Sequence, residues 1–347
     1  MPMTEVPHGS RSVLLTVADV IDETSDARSI VFAAPETFRY RPGQFLTLRI
    51  PSERTGSVAR CYSLASSPHR DEPPKVTVKR TSDGYGSNWV CDNVAVGDTI
   101  EVLPPSGTFT PAELDDDFLL LAAGSGITPV MSILKSALSG GVGQVVLFYA
   151  NRNEDSVIFS TELAALAAEY PRRLVVHHWL ESVQGLPTND QLAALTAPYR
   201  RHTAFLCGPG PFMDAVHKAL ATSGFPRDRV HAEVFTSLSG DPFAVTPDVA
   251  LTDEDTATAA TVVVTLDGET HTLAWPRKQT LVDVMSAEGL DVPYSCREGE
   301  CGSCACTMVD GEVTMENSEI LDDEDLADGM ILGCQAKPVS DNVRIEF

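Results

Sequence analysis

The chain is predicted to fold as three domains in series: an antiparallel β-barrel, an α/β domain on a parallel sheet, and a small α+β domain. Three observations predict this. Short β-type runs broken by Pro and Gly fill the first third, strand-like and helix-like runs then alternate, and four of the eight cysteines crowd into the eleven residues "CREGECGSCAC" near the end. A chain of 347 residues is long enough for two or three separate cores.

The first domain, 8–112, contains the runs "SVLLTVADVI", "RSIVFAA", "QFLTLRI", "RCYSLAS", "KVTVKR" and "DTIEVL", with turn signals such as "RPGQ" and "PPSG" between them. Many short strands with little helix predict a barrel. Two stretches carry candidate chemistry. In "RCYSL", Arg60 suits a pyrophosphate, Tyr62 offers an aromatic face and Ser63 a hydrogen bond; strand alternation puts Arg60 and Tyr62 on one face and Ser63 on the other unless the strand bends. In "VKRTSDGYGSNWV", Gly84, Gly86 and Ser87 precede a short helical piece whose first turn would present N–H groups and a hydroxyl to phosphate oxygens, and Lys79 upstream is a further candidate contact. Either stretch alone reads equally as ordinary strand or turn chemistry; their order within one barrel ties them together.

The second domain, 113–235, alternates strands ("DFLLLAA", "QVVLFYA", "RLVVHHWL", "TAFLCG", "RVHAEVF") with helices ("PVMSILKSAL", "STELAALAAEY", "NDQLAALTA", "PFMDAVHKALATSG"). That alternation predicts a parallel sheet covered by helices. "LLLAAGSGITPVMSIL" reads as a strand, a Gly124-x-Gly126 turn and a helix with Thr128 as N-cap and Pro129 in first position, facing a dinucleotide phosphate. The third glycine of the dehydrogenase fingerprint is missing. "FLCGPGPFM" places Cys207, Gly208 and Pro209 at the carboxyl edge of the sheet, where ligands of open α/β folds bind; a buried strand cysteine is the plain alternative for Cys207. Tyr149, Asn151 and Arg152 end another strand and are candidates for the adenosine ribose.

Residues 236–259, without Lys or Arg and rich in Thr, Asp, Ala and Pro, read as a linker. The third domain, 260–347, opens on two alternating strands around Asp267-Gly268, a hairpin signal. A short helix, "LVDVMSAEG", precedes the cysteine loop. Cys296, Cys301 and Cys304 have the spacing C-x4-C-x2-C, and Cys334 follows after 29 intervening residues. This is the plant-type [2Fe–2S] spacing. Two irons need four thiolates; a tight loop supplies three and a distant segment closes the cage, while Gly299 and Gly302 let the backbone curl so that N–H groups meet the sulfides. Zinc sites favour two short C-x2-C pairs, and this loop has one. Cys306 reads as a buried strand side chain rather than a ligand.

Net charge is −24, which argues against nucleic acid as a partner. From Ala260 to Phe347 there are 18 Asp/Glu against 5 Lys/Arg, a balance of −13 that would steer a basic protein. "MPMTEVPHGSRSV" has no apolar core, and the most apolar segment is broken by two glycines and a proline, so no secretion signal or membrane anchor is expected and the cytoplasm is the expected compartment.

A [2Fe–2S] centre moves single electrons whereas a nicotinamide gives a hydride, so a flavin is the expected converter between them. In this order, "RCYS", "GYGS", "GSGITP", "CGPGPFM" and "CREGECGSC…C" resemble the ferredoxin–NADP reductase superfamily with a C-terminal plant-type ferredoxin domain of β-grasp fold, the single-chain reductases of oxygenase systems. "GQFLTLRIPSERTGSVARCYSLASSP" and "SCREGECGSCACTM" resemble the reductases of steroid 9α-hydroxylating oxygenases, and the phenylacetyl-CoA oxygenase reductases share the plan. The resemblance implies FAD held by Arg60, Tyr62, Ser63, Gly86 and Ser87, with Ser63 near the reactive flavin nitrogen. It implies NADH rather than NADPH, held by Gly124, Thr128 and the Cys207–Gly208–Pro209 turn. Cys207 would lie close to the hydride path, with Glu233 and Phe235 near the flavin ring. Cys296, Cys301, Cys304 and Cys334 would hold the cluster, and the electron acceptor would be a Rieske-type oxygenase. Glu154 and Asp155 would repel a 2′-phosphate, whereas Arg152 would attract one. The rivals are a reductase for another oxygenase, a flavin reductase with a non-redox interaction module, and a membrane-bound quinone-reducing subunit.

Overall fold

Alternating apolar side chains along the first six strands turn one face inward, and the barrel closes around them. In the computed structural model, which describes residues 12–70, 72–238, 240–243, 257–266, 268–318, 320–321 and 323–347, these strands are β1 (Val13–Thr24), β2 (Ala27–Ala33), β3 (Phe45–Ser52), β4 (Gly56–Ser63), β5 (Lys75–Lys79) and β6 (Thr99–Val102). Their order is β4-β3-β6-β1-β2-β5, antiparallel throughout. A bridge between Leu64 and Val76 joins the end of β4 to β5 and closes the barrel. Leu15, Phe32, Leu46, Leu48, Val76 and Val78 fill it. Helix α1 (Tyr85–Asn93) plugs one end with Val90 and Cys91.

The second domain is a parallel sheet of β7 (Phe118–Ala123), β8 (Val145–Asn151), β9 (Leu174–Leu180), β10 (Thr203–Cys207) and β11 (Val230–Glu233) in the order β11-β10-β7-β8-β9. Every residue of β7 is buried, as a strand covered on both faces requires. Helices α2 (Ile127–Gly140), α3 (Ser160–Glu169), α4 (Glu181–Gln184), α5 (Asn189–Thr196) and α6 (Gly210–Thr222) accompany it. The chain moves from β7 to β8 on one side and reaches β10 on the other. The carboxyl ends of β7 and β10 therefore flank a topological switch point, where open sheets bind ligands.

Barrel and sheet meet through buried charge. Lys135 on α2, 1% exposed, lies 2.9 Å from Glu72 of the barrel and 2.9 Å from Glu162 of α3, which also takes Lys75 of β5 at 2.9 Å. Burial would raise Glu162, but the two lysines outweigh it and hold its carboxyl below the usual range. Hydrogen bonds from Ser132 to the Ser66 carbonyl (2.6 Å) and between Ser67 and Ser136 (2.7 Å) extend the seam.

The third domain is a mixed sheet of β12 (Ala260–Leu266), β13 (Glu269–Trp275), β14 (Ala305–Asp310), β16 (Met330–Leu332) and β18 (Asn342–Glu346) in the order β13-β12-β18-β14-β16, with β12 and β18 parallel. Strands β15 (Val313–Met315) and β17 (Ala336–Pro338) form a separate pair, and helices α7 (Leu281–Ala287) and α8 (Asp323–Ala327) complete the domain. Leu266 pairs with Glu269, so the expected hairpin is present, although Asp267 itself lies outside the described residues. Much of the expected linker, Ser239 and residues 244–256, also lies outside them. Its start does not hang free. Leu238 is buried against Ala59, Asp241 accepts from Ser57 at 3.0 Å and sits 3.7 Å from Arg49, and the Arg49 guanidinium lies over the Phe243 ring at 5.6 Å. No helix among the described residues is long and apolar enough to cross a membrane.

Candidate redox site

The cysteine loop runs from Cys296 to Cys304 without regular structure, and Gly299 and Gly302 take φ of +78° and +67° to turn it. Cys334, just after β16, closes on it. Cys296, Cys304 and Cys334 are buried and Cys301 is half-buried. The thiols touch: Cys296 contacts Cys301 and Cys334, and Cys304 contacts Cys334. This mutual contact lowers Cys296 and Cys304 and raises Cys301 and Cys334. The Glu298 N–H donates to Cys296 Sγ and the Cys334 N–H to Cys304 Sγ, each at 3.4 Å. Four thiols, two of them accepting backbone N–H donors, fit a [2Fe–2S] cluster. Cys306 on β14 stays apart, its thiol buried and directed to the Ile331 carbonyl.

The loop packs against the barrel. Ser295 and Thr47 share a hydrogen bond of 2.8 Å, and Cys296 is buried with Ala59 and Leu238. Beside this contact is a cavity of about 430 Å³, lined by Cys61 and Ser63 of β4, Glu233, Phe235 and the half-buried Cys301, with Phe109 and Glu300. Ser63 is buried at the end of β4 while Arg60, Cys61 and Tyr62 are all partly exposed, and of the four only Cys61 and Ser63 line the cavity. Burial pushes the Glu233 carboxyl up to about 8, against a smaller downward pull from the Ser63 hydroxyl, and its shielded Oε2 has no hydrogen-bond partner. An unpartnered buried oxygen is costly and fits a site completed by a ligand. Further along the barrel, a Cβ on Gly86 would lie 2.7 Å from Arg60 Cγ, so only glycine lets the Arg60 side chain lie along the first turn of α1. Ser87 there accepts from the Thr81 N–H at 3.1 Å.

A second cavity, of about 450 Å³, opens over the switch point, with Gly124, Asn151, Arg152, Pro209, Phe212 and Lys79 in its wall. Two motifs 81 positions apart meet at its base. A Cβ on Gly126 would stand 2.1 Å from the Cys207 carbonyl oxygen. Three corrections arise. A 3-10 turn, Gly124–Gly126, leads directly into α2, so the N-cap is Gly126 rather than Thr128, and Pro129 is the third helical residue instead of the first. The Thr128 hydroxyl instead donates back to the Ser125 carbonyl at 3.1 Å. Tyr149 points into the core and donates to the Gly124 carbonyl at 3.0 Å, so it positions the turn and does not face the cavity. The acidic side chain in the cavity wall is Glu181, not Glu154 or Asp155.

Residues 14–110 match the oxidoreductase FAD-binding domain family, 120–218 the oxidoreductase NAD-binding domain family, and 264–339 the 2Fe-2S iron-sulfur cluster binding domain family. The chain is 71% identical over 100% of both chains to a 3-ketosteroid-9-alpha-monooxygenase ferredoxin reductase component of Rhodococcus rhodochrous. It is 59% identical, over 99% of each chain, to the protein of that name in Mycolicibacterium smegmatis. The chain belongs to this ferredoxin reductase family. Its fold is also that of phthalate dioxygenase reductase, with a TM-score of 0.59 at 24% identity over 97% of this chain and 98% of the other.

The reductase thus carries FAD-, NAD- and [2Fe–2S]-binding domains in one chain. The structure brings together Cys296, Cys301 and Cys304 of the loop with Cys334 behind it; Ser63, Glu233 and Phe235 in the first cavity; and Gly124, Pro209, Lys79 and Arg152 in the second, whereas Arg60, Tyr62, Gly86 and Ser87 line neither cavity. Cys207 lines neither cavity. It ends β10 fully buried, its register partner is Glu233, and burial with the Glu233 charge pushes its thiol well up. Phe109 and Trp179 were not legible as cavity residues, because sheet register and loop packing assemble those walls and no local motif marks them, while Glu300 and Phe212 stand inside quoted motifs without being singled out.

The Glu233 shift has a sign that can be tested. The folded protein keeps its proton up to about pH 8, whereas an unfolded chain loses it near the ordinary 4.5. Stability from this group is therefore full below 4.5 and is lost as pH rises toward 8. Glu233→Gln is expected to remove that loss, so the thermal midpoint of the variant gains on the native protein with rising pH. Parallel midpoint curves would contradict the assignment.

Proposed function

We propose that this reductase takes a hydride from NADH and delivers electrons singly to a separate, Rieske-type oxygenase that hydroxylates 3-ketosteroids at the 9α position, within steroid degradation in the cytoplasm. The observation that carries the reading is the first cavity, whose wall holds both Ser63 and the cluster ligand Cys301. One space would thereby adjoin the flavin and the iron site. Bound FAD supplies the conversion of a hydride into single electrons, and the [2Fe–2S] group carries them onward.

The chain's own residues do the holding. Arg60 with Gly86 and Ser87 would grip the flavin diphosphate at the first turn of α1. Tyr62 would flank the ring, and Ser63 would hydrogen-bond near its reactive nitrogen. Glu233, protonated near neutral pH, would present a neutral carboxyl there, with Phe235 shielding the ring from water. Gly124, Gly126, Thr128 and Pro129 would shape the dinucleotide turn, and Cys207, Gly208 and Pro209 would border the nicotinamide. Lys79 and Arg152 would supply charge. The working domain limits are 8–112, 113–235 and 260–347, joined by 236–259.

The steroid assignment is supported by full-length identity to relatives that bear that name. Its test is reconstitution with NADH and purified oxygenases. Hydroxylated 3-ketosteroid is expected with the steroid oxygenase, and turnover is expected to fall as salt screens the −13 balance of the third domain. Turnover only with an aromatic acyl-CoA oxygenase would overturn the steroid assignment, and a flat salt response would remove the electrostatic steering.

A further inference from the structure

Two basic residues line the dinucleotide cavity: Lys79 from the end of β5 and Arg152 just beyond β8. Both are already engaged by one carboxylate, which shares the barrel with Lys79 and reaches Arg152 across the domain boundary. Asp26, between β1 and β2 of the barrel, places Oδ2 at 3.1 Å from Arg152 and 3.6 Å from Lys79. Asp26 is also held firmly. The Thr24 hydroxyl donates to its Oδ1 at 2.8 Å, its own N–H donates back to Thr24 Oγ1 at 3.3 Å, and the Arg80 N–H donates to its carbonyl at 2.7 Å. Burial would raise its carboxyl, but the Thr24 hydroxyl and the two cations keep it below the usual range.

We propose that Asp26 selects NADH over NADPH by occupying the two cations that a 2′-phosphate would otherwise recruit. The proposal rests on the reading of NADH as the donor and names the residue that enforces it. The two coenzymes differ only at the 2′ position of the adenosine ribose. In open α/β sheets the diphosphate sits at the glycine turn and the adenosine extends over the neighbouring strand ends, where an acidic residue favours a free 2′-hydroxyl and an arginine accepts a 2′-phosphate. Here those neighbouring ends belong to β8 and β9, which lead into Arg152 and Glu181. Arginine pairs strongly with phosphate, and at 68% exposure the Arg152 side chain is placed to do so. Its Nη2 already faces Asp26 Oδ2 at 3.1 Å. Lys79 and Arg152 are balanced by Asp26 and Glu181, so a phosphate dianion must either displace a pinned carboxylate or settle beside two of them. Selectivity by a built-in repulsion is a general device. The discriminating group lies across the domain boundary, outside the nicotinamide-binding fold.

The test uses the full-length holoprotein with ferricyanide as acceptor. For Asp26→Asn, the ratio of kcat/KM for NADPH to that for NADH is expected to rise at least ~10-fold, mainly through the KM for NADPH. Adding Arg152→Ala should cancel the gain, and Asp26→Glu should keep the native ratio. A reading on the native protein needs no variant: adenosine 2′,5′-bisphosphate should compete with NADH no better than 5′-AMP, which lacks only the 2′-phosphate. An unmoved ratio in Asp26→Asn, equal gains for both coenzymes, or ~10-fold tighter binding of the bisphosphate to the native protein would overturn the proposal alone. A native protein that prefers NADPH would overturn the donor reading as well.

Discussion

Cys301→Ala is expected to yield a protein that still bleaches its flavin with NADH but supports no oxygenase turnover. The variant lacks one of the four thiolates that a [2Fe–2S] group needs, and neither Cys61 nor Cys306 can replace it. Cys306 is buried on β14 and directed to the Ile331 carbonyl, while burial pushes the Cys61 thiol up to about 12, far from the thiolate a metal requires. Iron and acid-labile sulfide should be lost together, and with them the absorption beyond the flavin bands. The second cavity is built from the ends of β7–β9, the turns that follow them, Pro209, α6 and Lys79 and includes none of the cluster loop, so hydride delivery should persist. Native iron content, or loss of flavin bleaching alongside the iron, would defeat the assignment of Cys301.

Gly126→Ala is expected to cut kcat/KM for NADH by about a hundredfold, the scale of loss that follows an ångström of misplacement at a reacting centre. The added methyl would meet the Cys207 carbonyl oxygen at 2.1 Å, its carbon at 2.4 Å and the Gly208 nitrogen at 2.7 Å. All three are backbone atoms at the end of a central strand, so no rotamer relieves the clash and the glycine turn must lift away from the Cys207–Pro209 loop. Overpacking of this kind costs about 1–3 kcal/mol. Gly124 makes a contrast. Its φ of +53° is left-handed, but nothing would lie within 4 Å of a Cβ there, so Gly124→Asn, a residue that visits this region, should lower the thermal midpoint less than Gly126→Ala. A Gly126→Ala protein with native NADH kinetics would show that the two motifs need not touch.

These contacts mark what the amino-acid order reveals and what it hides. Apolar runs separated by turn signals located the barrel strands and the alternating sheet and helices, because periodicity records which side chains face a core. The cysteine spacing was legible because three ligands share one loop. The closeness of Gly126 to Cys207 was not, since it depends on β10 pairing beside β7 rather than on any neighbour in the chain. Thr128 misled for a local reason: Thr-Pro is a good helix opening, yet the preceding glycines had already begun to coil. Asp26 carried no signal at all. A lone aspartate in a strand turn is ordinary until the opposite domain brings Arg152 to it.

The quartet of Lys75, Lys135, Glu72 and Glu162 has a mechanical consequence. Ions in the medium reach such sheltered charges poorly, so ionic strength that weakens docking of a partner on the acidic end leaves the barrel-to-sheet joint stiff. The cluster-bearing domain, by contrast, leans on the barrel through a hydroxyl pair and a small apolar patch. Of the two seams, the second is the one expected to yield first, so that bending would fall where electrons must be handed on rather than where the hydride must land.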